Sequence, residues 1–240
     1  MKQKNIHGIF YTTSASLWWG IIGVFYFNFV SFASPLELTI HRTIWTAFLL
    51  ILTTFYYSKW KELNKVIIKP LNLVILFITG GLVTINWFTW LYAIGENKLL
   101  DASLGYYIFP IFSVFLGSLF LNEKLNKNKF FAVILVAISL VYLLIKFNEI
   151  PWIGLTVAIT FSLYGLIRKK IKISSDLGLL IETLLITPFA IILFIFLVKN
   201  NLNVFSFEEP LLSFYLFWAG LMTLVPLFLY TIGFKIVGIG

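Results

Sequence analysis

The fold is decided by an uninterrupted apolar stretch at residues 71–94, which reads LNLVILFITGGLVTINWFTWLYAI. It contains no charged side chain, and a helix needs about 20 mainly apolar residues to cross the hydrocarbon core of a bilayer. A transmembrane β-strand would be about half as long and would alternate apolar with polar residues. The stretch is therefore predicted to form one transmembrane helix.

Seven further stretches of the same kind occupy most of the chain. With the first, the predicted spans are 8–30, 36–57, 71–94, 103–121, 130–146, 151–167, 178–198 and 213–233. Of the 240 residues, 60% are hydrophobic and 12% are charged, whereas soluble domains have roughly 45–50% apolar and about 25% charged residues. This composition excludes a soluble enzyme, a disordered chain and a nucleic-acid binder, and it predicts an all-α, polytopic membrane protein.

Basic residues are distributed unevenly between the two sets of loops that alternate along these spans. One set, which includes the N-terminus, holds 14 lysines and arginines, and the other set holds three. Because Lys and Arg accumulate on the cytoplasmic side of membrane proteins, the N-terminus is predicted to be cytoplasmic. The net charge of +8 is explained by this bias, without an anionic ligand.

Residue pairs recur between the two parts of the chain at a nearly constant spacing. In chain order they are Trp19-Gly20 with Tyr164-Gly165, Glu37 with Glu182, Gly80 with Gly220, and Asn86-Trp87 with Pro226-Leu227. Five spans precede Pro151, so a second copy of that unit would enter the membrane from the opposite side. The sequence therefore predicts inverted repeats: five helices in residues 1–149 and three in residues 150–240.

Motifs in both repeats match one transporter family. They are Glu37-Leu38-Thr39-Ile40-His41-Arg42, Asn86-Trp87, residues 102–110 (ASLGYYIFP), Pro151-Trp152, residues 164–169 (YGLIRK), and Glu182-Thr183 followed by Pro188. In these motifs the chain resembles the RarD-type branch of the EamA transporters, in the drug/metabolite transporter superfamily. The resemblance implies an inner-membrane permease of two inverted five-helix repeats. It also implies a ninth and a tenth helix after Gly240, so a C-terminal truncation is expected.

Depth along the membrane normal groups the polar residues of the spans into two layers. At 1.5 Å of rise per residue, His41, Arg42 and Asn86 lie about 8 Å from the outer boundary of the hydrocarbon core, close in depth to Tyr106. By the same count Glu182 lies about 6 Å from the inner boundary. An outer and an inner layer joined by one pathway are what alternating access requires. We expect Arg42, Asn86 and Tyr106 to converge on a pocket.

The candidate substrate-binding residues carry charge, hydrogen-bonding groups or aromatic walls into these layers. They are Arg42, His41, Asn86, Trp87, Trp90, Tyr106, Tyr107, Tyr164 and Glu182. Candidates for proton coupling are Glu37, His41 and Glu182; the first two are four residues apart and so share one helix face.

Each candidate also has a structural alternative. Arg42 could clamp neighbouring groups, His41 could be a hydrogen-bonded packing residue, and Asn86 could bond between helices. Because a charge near the centre of a span costs at least about 2.5–3.5 kcal/mol, Arg42 and Glu182 are both expected to face protein or water. The pattern Ser113-x-x-x-Gly117 is interpreted as helix packing.

The function indicated is a secondary transporter that exchanges or exports a small organic metabolite or drug, with protons as the candidate driving ion. The chain has no cysteine and only two histidines, His7 and His41, far apart, so no metal or cofactor is expected. An enzyme is not expected, because the spans lack paired carboxylates and nucleophile–histidine arrangements. Besides the solute and protons, the lipid bilayer is the expected partner. The alternative is a non-transporting membrane fragment or scaffold.

Overall fold

The computed structural model describes residues 2–121, 127–147 and 151–237, and within these ranges its regular structure is helical, without a β-strand. The helices are α1 (Lys2–Leu17), α2 (Val24–Phe29), α3 (Pro35–Tyr56), α4 (Trp60–Ile67), α5 (Pro70–Gly95), α6 (Leu99–Leu121), α7 (Lys127–Phe147), α8 (Trp152–Lys170), α9 (Ser175–Lys199) and α10 (Pro210–Val237). A π-helical turn at Trp18–Gly23 joins α1 to α2 without a break.

Six helical segments in the described part of the chain are long and apolar enough to cross a membrane. They are Ile6–Phe29, Pro35–Tyr56, Pro70–Gly95, Leu99–Phe120, Ser175–Lys199 and Pro210–Leu229. Each coincides with a predicted span, so the prediction of an all-helical, multi-pass membrane protein is confirmed. The predicted spans at 130–146 and 151–167 also form helices, α7 and α8, but these are not among the six, and the count of eight stays a prediction.

Three of the helices end in the same way, with one residue of positive φ. Ser58 after α3, Asn97 after α5 and Asn201 after α9 have φ of 52°, 57° and 55°. After each, the next backbone N–H reaches back to a carbonyl five residues earlier, as in Lys59 N to Thr54 O at 3.0 Å. This C-terminal cap satisfies carbonyls that would otherwise lack partners at the end of the helix. It also turns the chain sharply at the ends of the spans.

Contacts divide the chain into two compact units, Met1–Gly80 with Ile173–Gly240, and Gly81–Lys172. In the first unit α3 packs against α9 and α10, and α1 packs against α10. In the second unit α6 packs against α8 and, to a smaller extent, α7. Each unit contains residues from both predicted repeats. The predicted boundary between the repeats, at residues 149–150, lies outside the described residues.

Close helix crossings in both units depend on glycine. A Cβ at Gly220 would lie 2.7 Å from the backbone carbon of Trp45, and one at Gly80 would lie 3.0 Å from the carbonyl oxygen of Glu182. In the second unit a Cβ at Gly105 would lie 2.7 Å from the carbonyl oxygen of Gly154. Because the opposing atoms belong to helix backbones, they cannot move aside cheaply, and the backbones approach this closely only without a side chain.

Candidate functional site

Glu37, in the first turn of α3, holds the loop between α9 and α10. Ser34 caps the helix by accepting from the backbone N–H of Glu37 at 3.2 Å, with Pro35 at the first helical position. The carboxylate is fully buried. It accepts from the backbone N–H of Val204 at 2.9 Å through both oxygens and from that of Phe205 at 2.8 Å through Oε1. The buried carboxylate is thus satisfied by a loop 167 residues away.

His41 lies one turn further along α3, on the same helix face. Its Nδ1 accepts from Nε1–H of Trp45 at 3.2 Å, so the neutral ring carries its proton on Nε2. Nε2 is buried, has no hydrogen-bond partner among the described residues, and lies 3.9 Å from Oε1 of Glu37. The ring centroid lies 4.7 Å from that of Phe205. His41 is therefore oriented with its Nε2 proton beside the carboxylate that holds the loop.

Arg42 is buried and contacts two other helices of the same unit. Its Nε–H donates to Oγ1 of Thr223 on α10 at 2.8 Å, and its guanidinium carbon lies 5.2 Å from the ring centroid of Phe27. The expectation that Arg42 faces protein is confirmed by its 6% exposure. The sequence did not indicate that a threonine hydroxyl would be its partner.

Glu182 is fully buried on α9. Its Oε1 accepts from the hydroxyl of Thr79 on α5 at 2.6 Å, and the residue after Thr79 is the crossing glycine, Gly80. The expectation that Glu182 faces the interior is confirmed. Arg42 and Glu182 therefore share an arrangement in which a buried charge is hydrogen-bonded by a threonine close to a glycine crossing.

Asn86 lies in the second unit and connects α5 to α8. Its Nδ2 donates to the carbonyl of Val157 at 3.0 Å and to Oγ1 of Thr160 at 3.1 Å. The neighbouring Trp87 is buried, and Trp90 packs against a small core that includes Ala93. These contacts favour the structural interpretation of Asn86, because its donor group is used between helices.

The predicted tyrosines differ in their surroundings. Tyr106 and Tyr107 on α6 are exposed, with 51% and 67% of their surfaces accessible, whereas Tyr164 on α8 is half-buried and stacks in parallel on Phe161 at 5.9 Å. Arg42 belongs to one unit and Tyr106, like Asn86, to the other, so the predicted convergence of the three residues stays a prediction.

A pocket of about 240 Å³ in the second unit is a feature that the sequence did not indicate. Small side chains of α6 and α8 line it, including Ser113, Gly117, Ser162 and Gly165, with Lys169 at its edge. Ser113 donates to Oγ of Ser162 at 3.3 Å, so the small-residue pattern does bring the helices together. Because the serines and glycines on these two helices have little side-chain volume, space remains between the helices and forms the pocket.

A metal centre is not formed by the described residues, among which no three His, Asp or Glu side chains are grouped to hold an ion. Three buried charged groups of α3 and α9, Glu37, Arg42 and Glu182, are hydrogen-bonded to backbone or to threonines. Helices long and apolar enough to cross a membrane, with hydrogen-bonded charges buried among the described residues, define a multi-pass helical membrane protein.

Comparisons with known proteins identify the family. The model of the EamA-like transporter family matches residues 6–145. An uncharacterized transporter of Vibrio cholerae is 37% identical over 96% of this chain and 76% of its own length. The chain is also 34% identical to the uncharacterized transporter YojE of Bacillus subtilis, over 95% of this chain and 76% of YojE. It is 32% identical to protein RarD of Escherichia coli, over 95% of this chain and 77% of RarD. No solved structure matches the chain. The chain belongs to the EamA-like transporter family, in its RarD-type branch, which confirms the resemblance.

Proposed function

We propose that the chain is a secondary-active transporter that moves a small organic metabolite or drug across the inner membrane, by alternating access between two inverted repeats. Membership of the EamA-like transporter family supports transport as the general function. The N-terminus is proposed to be cytoplasmic, as the distribution of basic residues indicates.

The observation that carries this proposal is the matched environment of Arg42 and Glu182. The glycines near their threonine partners, Gly80 and Gly220, are one of the residue pairs that recur between the two predicted repeats. Arg42 on α3 is bonded by Thr223, three residues after Gly220, and Glu182 on α9 by Thr79, one residue before Gly80. Each charge is therefore held by a helix of the other predicted repeat. This exchange of partners supports an inverted repeat in which a buried charge of each copy is hydrogen-bonded by a threonine of the other copy.

Arg42 is the proposed contact for the solute. A guanidinium is charged at every physiological pH and presents several donors in a fixed plane, so a carboxylate or another electron-rich oxygen is the group that it would bind. Buried charges within membrane spans are costly and usually functional. Tyr106 and Tyr107, whose rings are exposed, are proposed as aromatic walls.

Proton coupling is proposed at Glu37, His41 and Glu182. An ionised carboxylate only accepts hydrogen bonds, whereas a protonated one also donates. Protonation of Glu37 would therefore weaken its bonds to the backbone of Val204 and Phe205. We propose that this loop is a gate that Glu37 holds closed. A proton taken up at Nδ1 of His41, in place of its bond from Trp45, would let Nε2 pass its own proton to Glu37.

Uptake by proteoliposomes tests the proposal. Vesicles containing the purified chain are given radiolabelled lactate, pyruvate and a mixture of labelled amino acids, and a pH-sensitive dye reports proton movement in the lumen. We expect saturable uptake of at least one carboxylate, reduced at least tenfold by Arg42→Gln and retained by Lys98→Gln, which removes an exposed charge. Folded protein that moves neither label nor protons would support the alternative, a non-transporting membrane fragment or scaffold.

A further inference from the structure

The short helix α4 is confined to the membrane surface by the helices that flank it. α3 ends at Tyr56 and α5 begins at Pro70, and both form candidate membrane spans. α4 has eight residues, so it is about 12 Å long. Three residues separate it from the span before it and two from the span after it. Because both ends are tied to the boundary of the hydrocarbon core, α4 must lie in the zone of the lipid headgroups.

α4 has two chemically different faces. At 100° per residue, Trp60, Val66 and Ile67 fall within about 60° of Leu63, which is buried. Lys61 and Lys65 lie on the opposite side, four residues apart, and both are exposed. An amphipathic helix with lysines on its polar face and a Trp on its apolar face is typical of segments that lie in a membrane interface.

The position of α4 is fixed at both ends by side chains of the same unit. Lys59, just before the helix, forms a hydrogen-bonded ion pair with Asp176 in the first turn of α9. At the other end, Nδ2 of Asn72 donates to the carbonyl of Val66 at 3.2 Å. The lysines of α4 are therefore presented from an anchored helix, which lowers the entropy lost when a ligand is bound.

The segment from residue 59 to residue 69 has an uncompensated positive charge. It contains four lysines and one glutamate, a net charge of +3. Asp176 pairs with Lys59, which leaves Lys61, Lys65 and Lys69, all exposed, against Glu62, a net charge of +2. Tyr56 and Tyr57, beside this segment, are exposed too. Exposed aromatic rings next to lysines are characteristic of the interfacial region, where the nearest anions are lipid phosphates.

We propose that α4, with Lys61, Lys65 and Lys69, is a binding surface for the headgroups of anionic phospholipids. The apolar face of the helix packs towards the protein and the acyl boundary, and the three ammonium groups contact the phosphates of one or two lipids. This goes beyond the bias that orients the chain during insertion, since it is a contact of the folded protein. It is also independent of transport, because it involves none of the residues proposed to bind solute or protons.

A single fluorescent reporter tests the proposal. The chain has no cysteine, so Ile67→Cys carries one environment-sensitive dye on the apolar side of α4. The labelled protein in neutral detergent micelles is titrated with phosphatidylglycerol or phosphatidylcholine. A basic residue near an anionic surface contributes about fivefold in binding. We therefore expect phosphatidylglycerol to shift the dye emission at a mole fraction at least tenfold lower than phosphatidylcholine.

Matched variants assign this preference to the lysines. The triple change Lys61→Gln, Lys65→Gln and Lys69→Gln should remove the tenfold preference, whereas the same three changes to Arg should keep it. Replacing Lys169, Lys170 and Lys172 by Gln removes equal charge from another basic segment and should leave the response within twofold. Every variant is first checked for a single symmetric elution peak. If the triple Gln variant aggregates, the three single changes to Gln decide the outcome, and each should weaken the preference severalfold.

Three results would overturn the proposal. The two lipids could titrate at equal mole fractions, or the Gln variant could keep the preference. Free glycerol phosphate could also produce the shift that phosphatidylglycerol does, which would mean a site for a soluble phosphate.

Discussion

Both carboxylate oxygens of Glu37 lie 2.9 Å from the backbone nitrogen of Val204. The bonded atoms come from the start of α3 and from the loop between α9 and α10, so a single side chain joins distant parts of the chain. Hydrogen bonds to an ionised acceptor contribute about 1.5–3 kcal/mol each, more than those between neutral groups. The loop is therefore held through its backbone as well as through the ring of Phe205, which packs on His41.

The first prediction concerns this bond. Glu37→Gln replaces one acceptor oxygen by an amide that donates, which cannot bond a backbone N–H. We expect maleimide to label a cysteine at Val204 at least tenfold faster in this variant, because the loss of one charged hydrogen bond is worth about 1.5–3 kcal/mol. Glu208→Gln, which changes an exposed carboxylate of the same loop, is the control. Equal labelling rates in all three proteins would show that Glu37 does not hold the loop.

The second prediction separates the partners of Arg42. Thr223→Val removes the acceptor of the Nε–H bond, and we expect it to lower the free energy of unfolding by about 1 kcal/mol, the usual size for a bond between membrane helices. Thr223→Ser, which keeps the hydroxyl, should retain most of the free energy of unfolding that Thr223→Val loses. The effects of Thr223→Val and Arg42→Gln should be less than additive, since one interaction is lost in both. Strict additivity in a double-mutant cycle would refute the bond.

The third prediction concerns the helix crossings. Gly220→Ala places a methyl group 2.7 Å from backbone of α3, whereas Gly81→Ala meets nothing within 4 Å. We expect the first change to lower the free energy of unfolding by about 1–3 kcal/mol through overpacking. Gly81→Ala should be neutral or slightly stabilising, because Ala is the better helix former. Denaturant unfolding followed by tryptophan fluorescence measures both, and equal values for the two would contradict the crossing.

The fourth prediction tests the role of Asn86. Asn86→Leu removes two hydrogen bonds between α5 and α8, and we expect a loss of about 1–2 kcal/mol in stability. Asn28→Leu, at an exposed position, should change stability by less than 0.5 kcal/mol, as is usual for surface changes (about ±0.5 kcal/mol). If Asn86→Leu instead left stability intact and abolished solute uptake, Asn86 would be a binding residue.

The fifth prediction concerns orientation. Single cysteines at Lys65 and at Glu208, both exposed, should react oppositely with a membrane-impermeant maleimide in intact cells. Position 208 should be labelled and position 65 should be protected until the membrane is opened. Labelling of position 65 in intact cells would place the N-terminus outside.

The spans were predictable because a run of apolar residues is a local property. The span at 71–94 was predicted from its own residues, without information on what packs against it. The observed span, Pro70–Gly95, differs from it by one residue at each end. α4 was not predicted, because it has only eight residues and three lysines lie within it or just before it. Such a segment is typical of a charged loop between two spans. Its helical character depends on Leu63, whose burial only the folded unit provides.

The candidate site was predictable in its residue types and not in its contacts. A charge within an apolar run must face protein, which identified Arg42 and Glu182. Their partners, Thr223 and Thr79, carry no signal in the sequence, because threonine is common in membrane helices and the pairs are far apart along the chain. The bond of Glu37 to Val204 was harder still, since its donor is a backbone group that every residue except proline has.

The π-helical turn at Trp18–Gly23 has a consequence for helical phase. Ala15 and Gly23 are both buried, yet eight residues of uninterrupted α-helix would rotate them about 80° apart. A π-turn contains one more residue in each hydrogen-bonded ring than an α-helical turn does. The extra residue turns the second half of the helix back towards α10. There Tyr26 donates its hydroxyl to the carbonyl of Tyr215 at 2.7 Å. Deleting one residue from the turn would therefore act as a rotation: every later side chain of the helix would swing by about 100°, and Tyr26 would leave its acceptor.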